Sequence, residues 1–460
     1  MVPYLFGKEV MSLARKIKKE LREYVRENYD SLKNLHKRIY KEKSDSDRER
    51  NDYQRDYSRI LYSTSFRRLQ GKMQLLGIEN HKFYRNRLTH SLEVSQIARS
   101  IAEKVRSDTG LYEIYRDDIY VIEAGSLAHD LGNPPFGHYG ERVLNMIMKD
   151  KGGFEGNAQT FRILHRLEKK LPDHRGLNLT LRTLLSTIKY FVPYIEDNNI
   201  KKFIYKEDYE FLLEELEKYD VYPRTIDVQI VDLADEIAYA AHDLEDALSL
   251  KLFNIDEFVF EFKQEYNNDF VVETLEKLVL KAKKFAESAA NYNSSEEFSF
   301  LFRKELISNL VDKLIKDITL VSVSDDDKKK IGTKHDKELG FNLLGDLVKG
   351  LKKKTLELIN RSNIIQLYEK QGEKIIKGLY EVYKDESFNK DNMLLPVEYR
   401  EIAKIDGRDR AIADYISGMM ESFAIKLFTD YFGKGALEKI YDKNVFSNQN
   451  HVCPVSSTRI

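Results

Sequence analysis

The stretch "AHDLGNPPFGHYGE" at residues 128–141 holds two histidines, two acids, two adjacent prolines and three glycines. Proline removes a backbone donor and glycine tolerates the turns that end helices, so the stretch reads as a break between two helical segments. The break is also where ionisable side chains are densest. It is either an ordinary capped helix end or a device that presents His129, Asp130, His138 and Glu141 to a ligand.

Composition frames that choice. The chain has 460 residues, room for one large domain or two or three smaller ones. Only 8 prolines and 22 glycines, with abundant Lys, Glu and Leu, point to a mostly α protein. The net charge is -1, so a nucleic-acid site would have to be a local basic patch. The single cysteine, Cys453, cannot form an internal disulfide and fits a reducing compartment. The N-terminal stretch lacks the apolar core of a secretory signal. No apolar run reaches the roughly 18 residues of a membrane span. A cytoplasmic protein with no membrane partner is the expectation.

Outward from the break, helical periodicity recurs at 8–42, a Lys/Arg-rich outer helix, and at 87–105, 117–131, 154–168 and 178–191. The pattern at 226–248, "IDVQIVDLADEIAYAAHDLEDAL", is long and strong. Beyond 250 the text predicts a surface loop at 322–338, a basic stretch at 349–359 and an apolar helix at 410–428. There is neither βαβ alternation nor a GxGxxG, which argues against a dinucleotide-binding fold.

The candidate metal ligands are His90, His129, Asp130 and Asp235. Two imidazoles and two carboxylates suit Mn²⁺ or Mg²⁺, with Fe²⁺, Zn²⁺ or Ni²⁺ also admissible. Neighbours on a regular helix point about 100° apart, so His129 and Asp130 share one ion only at a helix end or kink. Asp235, Tyr239 and Asp243 recur every four residues, opposite an apolar stripe of Ile230, Leu233, Ile237, Ala241, Leu244 and Leu248. A solvated acidic face and a cleft-facing wall would look alike here. His138 and Glu141 are spaced for a carboxylate to orient an imidazole, or for a first-turn Glu to meet a helix dipole. Arg87, one turn before His90, is placed either to hold a phosphate near the metal or to face solvent.

Seven blocks in order carry a resemblance: "SFRRLQGKMQLL", "RLTHSLEV", "AHDLGNPPFGHYGE", "FEGNAQTFRIL", "LNLTLRTLLSTIKY", "DLADEIAYAAHDLEDAL" and "DYISGMMESFA". Together they resemble the deoxyguanosinetriphosphate triphosphohydrolase (dGTPase-like) family of the HD-domain superfamily. The likeness is dense over 50–250 and returns near 405–428. It implies an all-α fold with an HD helical core at 55–250, an N-terminal extension at 1–54, and C-terminal helices at 251–460 that add to the substrate site and to oligomer contacts. It implies metal-dependent hydrolysis of a deoxynucleoside triphosphate, dGTP first, to deoxynucleoside and inorganic triphosphate, in control of dNTP pools.

By position, the resemblance makes His90, His129, Asp130 and Asp235 the metal ligands and His138 with Glu141 the catalytic pair. Tyr239 and Asp243 would meet the sugar, with the ring leaving no room for a 2′-hydroxyl. Gln74 and Leu75 would contact the base, together with Arg410, and Arg87, Lys189 and Tyr190 the triphosphate. Asn133 stands where the metazoan branch has a histidine, which favours the bacterial type. Gly77 stands where many members have proline. Family members are commonly homo-oligomers, often hexamers, and some respond to an allosteric dNTP or single-stranded DNA. The Lys352–Lys354 run is the candidate for such a ligand or a solvated helix face. Two other functions share the metal ligands: an HD phosphodiesterase or nucleotidase acting on other nucleotides, and a non-catalytic nucleotide- or DNA-binding HD module.

Overall fold

The computed structural model describes residues 2–42, 49–74, 85–196, 201–266 and 268–437, with side chains from residue 16 onward. Helix α1 (Val2–Ser31) lays Leu21 and Val25 on the core. Helices α2 (Asp52–Leu61) and α3 (Thr64–Arg68) follow. In the cap of α2, the Asn51 side chain accepts from the Gln54 amide and the Gln54 side chain accepts in return from the Asn51 amide. The centre is built from α4 (Arg87–Thr109), α5 (Ile119–Ala128) and, later in the chain, α10, which pack on one another. Between them come α6 (Gly137–Ile147), α7 (Gly156–Arg162), α8 (Leu181–Leu185) and α9 (Lys206–Tyr219). Helix α10 (Ile226–Ser249) is buried on nearly every side, as its apolar content requires.

The C-terminal half adds α11 (Ile255–Glu265), α12 (Asp269–Glu287) and α13 (Ser295–Asp317). A small antiparallel sheet of β1 (Ile318–Ser322) and β2 (Lys337–Phe341) pairs Ile318 with Phe341 and encloses α14 (Asp325–Ile331) in its connection. Helices α15 (Gly345–Ile359), α16 (Asn363–Lys384), α17 (Val397–Asp406), α18 (Arg408–Ser417) and α19 (Glu421–Phe432) complete the described chain. Among the described residues the protein is all-α apart from that small sheet. Among the described residues, no helix is long and apolar enough to cross a membrane.

Three segments differ from the sequence reading. The expected loop at 322–338 holds α14, because its acids and bases are ordered. Asp325, Asp326 and Asp327 fill the first turn and Lys328, Lys329 and Lys330 the last, which matches the helix dipole. The expected helix at 178–191 is only the five residues of α8. Asn178 takes φ 50 before it, and beyond it the Phe191 amide donates to the Lys330 carbonyl at 2.8 Å. The expected helix at 410–428 is two, α18 and α19. Buried Lys72 takes the Ser417 carbonyl at 2.7 Å and Arg68 the Gly418 carbonyl at 3.3 Å, so the ladder stops there. Glu421 then opens α19 by accepting from the Met73 and Phe136 amides at 3.1 and 3.3 Å.

Two large apolar cores and a small cluster of Ala158, Phe203 and Tyr205 result among the described residues. The larger joins α1, α4, α5 and α10 with α11–α13 and α15. The second gathers Phe136, Val143, Leu144 and Met148 with Ile376, Leu379, Ile412, Ile416 and Phe428. Helix α6, directly after the break at 128–137, therefore rests on the C-terminal helices. A Cβ at Gly372 would stand 2.6 Å from the Phe136 ring, so only glycine admits this approach of α16.

Candidate active site

Helix α5 ends at Ala128, with His129 as its cap and Asp130 in the turn beyond. The helix end that the His–Asp pair needs is present. Gly132 presses this turn onto α7: an added Cβ would lie 2.1 Å from the Gly156 carbonyl oxygen. The His129 ring is oriented by its Nδ1–H, which donates to the Ser126 carbonyl at 2.6 Å. That bond leaves the lone pair on Nε2. Nε2 is buried without a hydrogen-bond partner, 3.4 Å from Asp235 Oδ1 and 3.6 Å from Asp130 Oδ1. Fully buried His90, one turn into α4, brings Nε2 to 3.3 Å from the same Asp235 oxygen.

Ligand atoms of His90, His129 and Asp235 thus lie within 4.8 Å of one another, drawn from three separate elements. Asp130 stands beside them rather than in the trio. Its Oδ2 accepts from Arg87 Nη1 at 2.6 Å and its Oδ1 from the Asn133 side-chain amide. Burial pulls the His129 imidazole down, but Asp130 and Asp235 outweigh it and raise it to about 9. Burial also opposes the two carboxylates, yet Arg87 holds Asp130 low and His129 holds Asp235 well below the usual range. A pocket so strongly cation-seeking, with an orphaned imidazole nitrogen, fits a divalent metal ion held by His90, His129 and Asp235 with Asp130 alongside.

His138 follows Phe136 and Gly137, which both take positive φ (65 and 57), and so enters from a second helix. Its Nδ1 lies 3.3 Å from Glu141 Oε2, and its side chain is 62% exposed, open to a ligand. Glu141 Oε1 accepts from the Gly156 amide at 3.2 Å and from Lys202 Nζ at 3.1 Å. Burial works against the Glu141 carboxylate, but His138 and Lys202 hold it at about 2.

Tyr239 links the two histidine groups. Its ring centroid is 5.1 Å from that of His90 and 6.3 Å from that of His138. One turn on, Asp243 has an unpartnered buried Oδ1, and burial with the neighbouring Asp246 pushes its carboxyl up to about 8. The stripe on α10 therefore packs against the histidine cluster and is not a solvated face. Lys189 Nζ lies 2.5 Å from Asp232 Oδ1 and 3.6 Å from Asp235 Oδ2, with Tyr190 beside it. Both amide atoms of Gln74 are buried without partners. Leu75 and Gly77 lie outside the described residues.

Arg410 is not brought to this group. It stacks 4.2 Å from the Tyr205 ring centroid and donates to the Lys151 and Gly153 carbonyls at 3.2 and 2.8 Å. There it lines a cavity of about 650 Å³ with Arg162, Arg166 and Lys206. The lysine run on α15 is engaged too. Lys352 Nζ pairs with Glu236 at 3.5 Å and lies 5.8 Å from the Tyr239 ring centroid, while Lys353 and Lys354 pair with Glu265. Sequence reasoning missed Lys202, Glu155 and Asp232, which supply the pocket's outer charges. Of these, Glu155 and Asp232 had a signal, since they sit in the quoted blocks "FEGNAQTFRIL" and "DLADEIAYAAHDLEDAL".

Comparison with known proteins fits this geometry. The HD-domain profile matches residues 87–240, and the phosphohydrolase-associated domain profile matches residues 344–430. The fold and pocket are those of an HD-domain protein with its associated helical module. The chain is 48% identical over 425 residues to deoxyguanosinetriphosphate triphosphohydrolase-like protein 2 of Vibrio cholerae serotype O1, over 92% of this chain and 99% of that protein. It is 35% identical over 429 residues to a deoxyguanosinetriphosphate triphosphohydrolase-like protein of Shewanella halifaxensis, over 83% of this chain and 92% of that protein. A third relative of that name, from Shewanella pealeana, is 33% identical over 441 residues, covering 86% of this chain and 95% of its own. The chain belongs to the deoxyguanosinetriphosphate triphosphohydrolase-like family, a family of nucleotide triphosphohydrolases.

Proposed function

We propose that the protein hydrolyses deoxynucleoside triphosphates, dGTP foremost, to deoxynucleoside and inorganic triphosphate, and so acts on dNTP pools. The observation that carries this is the convergence of His90, His129 and Asp235 with the His138–Glu141 pair across a single tyrosine, Tyr239. A divalent ion held there, Mn²⁺ or Mg²⁺, would polarise a phosphoryl oxygen and lend a water nucleophilic character.

The remaining work falls to side chains. Breaking the bond between the α-phosphorus and the 5′-oxygen expels an alkoxide, a poor leaving group that needs a proton. His138, exposed toward the pocket and held by Glu141, is the group to move it. Arg87 and Lys189 bring positive charge against a chain carrying about four negative charges. The Tyr239 ring would pack against the sugar and leave no room for a 2′-hydroxyl. Asp243, with its carboxyl protonated near neutrality and one oxygen unpartnered, offers the sugar hydroxyl both a donor and an acceptor.

The test is a panel of dNTPs, rNTPs, cyclic nucleotides and monophosphates with Mn²⁺ or Mg²⁺, with products separated by ion exchange. Triphosphate released from dNTPs is the expected result. Pyrophosphate or monophosphate in its place, or preferred turnover of a cyclic nucleotide, overturns the reading.

A further inference from the structure

Lys202 has no part in the sequence motifs, yet it bridges the most buried acid of this region to the catalytic pair. Glu155 is fully buried ahead of α7. Its Oε2 accepts from the Ala158 amide at 2.7 Å, and its Oε1 accepts from the Asn157 side chain at 2.8 Å and from Lys202 Nζ at 2.7 Å. The same ammonium donates to Glu141 Oε1 at 3.1 Å. With the Gly156 amide also on that oxygen, only Oε2 of Glu141 is left for His138.

We propose that Lys202 is a positioning residue for the His138–Glu141 pair: by bridging Glu141 to Glu155 it holds the two buried carboxylates in place and fixes which Glu141 oxygen faces His138. This rests on the reading of that pair as the proton-transfer group.

The physical reason is the placement of two acids around one cation. An ammonium has three donors, and here two of them are spent on carboxylates. Remove it, and two buried like charges face one another and share a proton. Burial already raises Glu155 above its ordinary range with Lys202 present, whereas Glu141 is held low. The other titratable groups facing the trio are His138 on α6, Tyr190 after α8 and Tyr205 before α9, and burial keeps both phenols protonated. Glu141 is held low by His138, Lys202 and the Gly156 amide, so removing Lys202 leaves it the His138 contact and that amide against the facing Glu155 carboxylate.

The test is the pH profile of kcat/KM for dGTP in four proteins: wild type, Lys202→Met, Lys202→Arg and the double variant Lys202→Met/Glu155→Gln. In Lys202→Met the acid limb should move up by about 1–2 pH units, the usual effect of losing one opposite charge at this range. Lys202→Arg should keep the wild-type limb. The double variant, with the second carboxylate gone, should return toward it. If Lys202→Met does not fold, the double variant still carries the test, since Glu141 there keeps His138 and the Gly156 amide and faces no second carboxylate, and a displaced limb there overturns the proposal. Activity lowered equally at every pH and not rescued by Glu155→Gln would make Lys202 a direct phosphate contact and overturn it. An unchanged profile in Lys202→Met also overturns it. Undiminished turnover in His138→Ala instead removes the catalytic reading beneath it.

Discussion

Two clusters of buried charge lie in the same helical core and differ in one respect. The first surrounds Arg182 of α8. Its Nε and Nη2 donate to Asp227 at 2.7 and 3.0 Å, and its Nη1 donates to Asp118. Tyr115 and Tyr29 hydroxyls donate to the same two acids at 2.8 and 2.6 Å. No buried polar atom of Arg182, Asp118 or Asp227 lacks a partner. The second cluster is the HD pocket, where His129 Nε2, His90 Nδ1, Arg87 Nε and Asp243 Oδ1 are all buried and unpartnered. A satisfied network stabilises a scaffold, while an unsatisfied one costs stability unless a ligand completes it. Composition alone does not separate the two. Hydrogen-bond accounting does.

The sharpest way to break this contrast is to delete one residue from each cluster. His129→Ala should lower turnover by more than about a hundredfold, the most that loss of a supporting residue alone causes, while melting close to wild type. Arg182→Met should do the reverse, leaving Asp118 and Asp227 buried without a cation and losing about 3–5 kcal/mol in denaturant unfolding. If His129→Ala unfolds the protein and Arg182→Met does not, the distinction fails.

Ligand removal comes next. Chelating divalent ions should lower both activity and melting temperature, and Mn²⁺ should restore both, because an ion bound only by the folded state stabilises it. Arg182→Met should show the same ion-dependent rise from a lower starting point. A melt that does not respond to the ion removes the metal from the pocket.

A smaller effect sharpens the role of the wall. Tyr239→Ala should reduce the preference for dGTP over GTP by about tenfold or more, measured as the ratio of kcat/KM values. The smallest concerns Asp243. Its folded carboxyl titrates near 8, above the ordinary value of 3.8, so between those pH values the unfolded chain releases a proton that the folded one keeps. Stability of the metal-free protein therefore falls as pH rises through that window. Asp243→Asn should remove the fall, so its advantage in melting temperature over wild type grows from pH 4 to pH 8. A constant difference would show that Asp243 is ionised throughout.

The parts legible in sequence were those where function and helical period coincide. His90, Asp235, Tyr239 and Asp243 sit at fixed offsets on α4 and α10, and His129 sits at a helix end marked by glycine and proline. Arg410 lies just before the block "DYISGMMESFA", where the likeness returns, yet its guanidinium is drawn to the Tyr205 ring and to the carbonyls of Lys151 and Gly153. Block order does not fix which way a long side chain turns. Lys202 lies 47 residues from Glu155 and 61 from Glu141, on a loop without period, so only the fold could reveal their pairing. The aspartates and lysines at 325–330 read as a loop because composition was weighed and order was not.

The amine of Lys72 also reaches across the molecule. One side chain holds both the Asn133 carbonyl beside the pocket and the Ser417 carbonyl at the end of α18, while Glu421 seats the Phe136 amide that turns the chain toward His138. This limits modularity. The stretch 55–250 carries every proposed metal ligand, but it is not a portable enzyme. Cut from its C-terminal helices, it would leave a buried ammonium, two orphaned amides and the apolar underside of α6 exposed to water. A substitution in α16, α18 or α19 can therefore reach the loop that carries His138 without touching any proposed ligand.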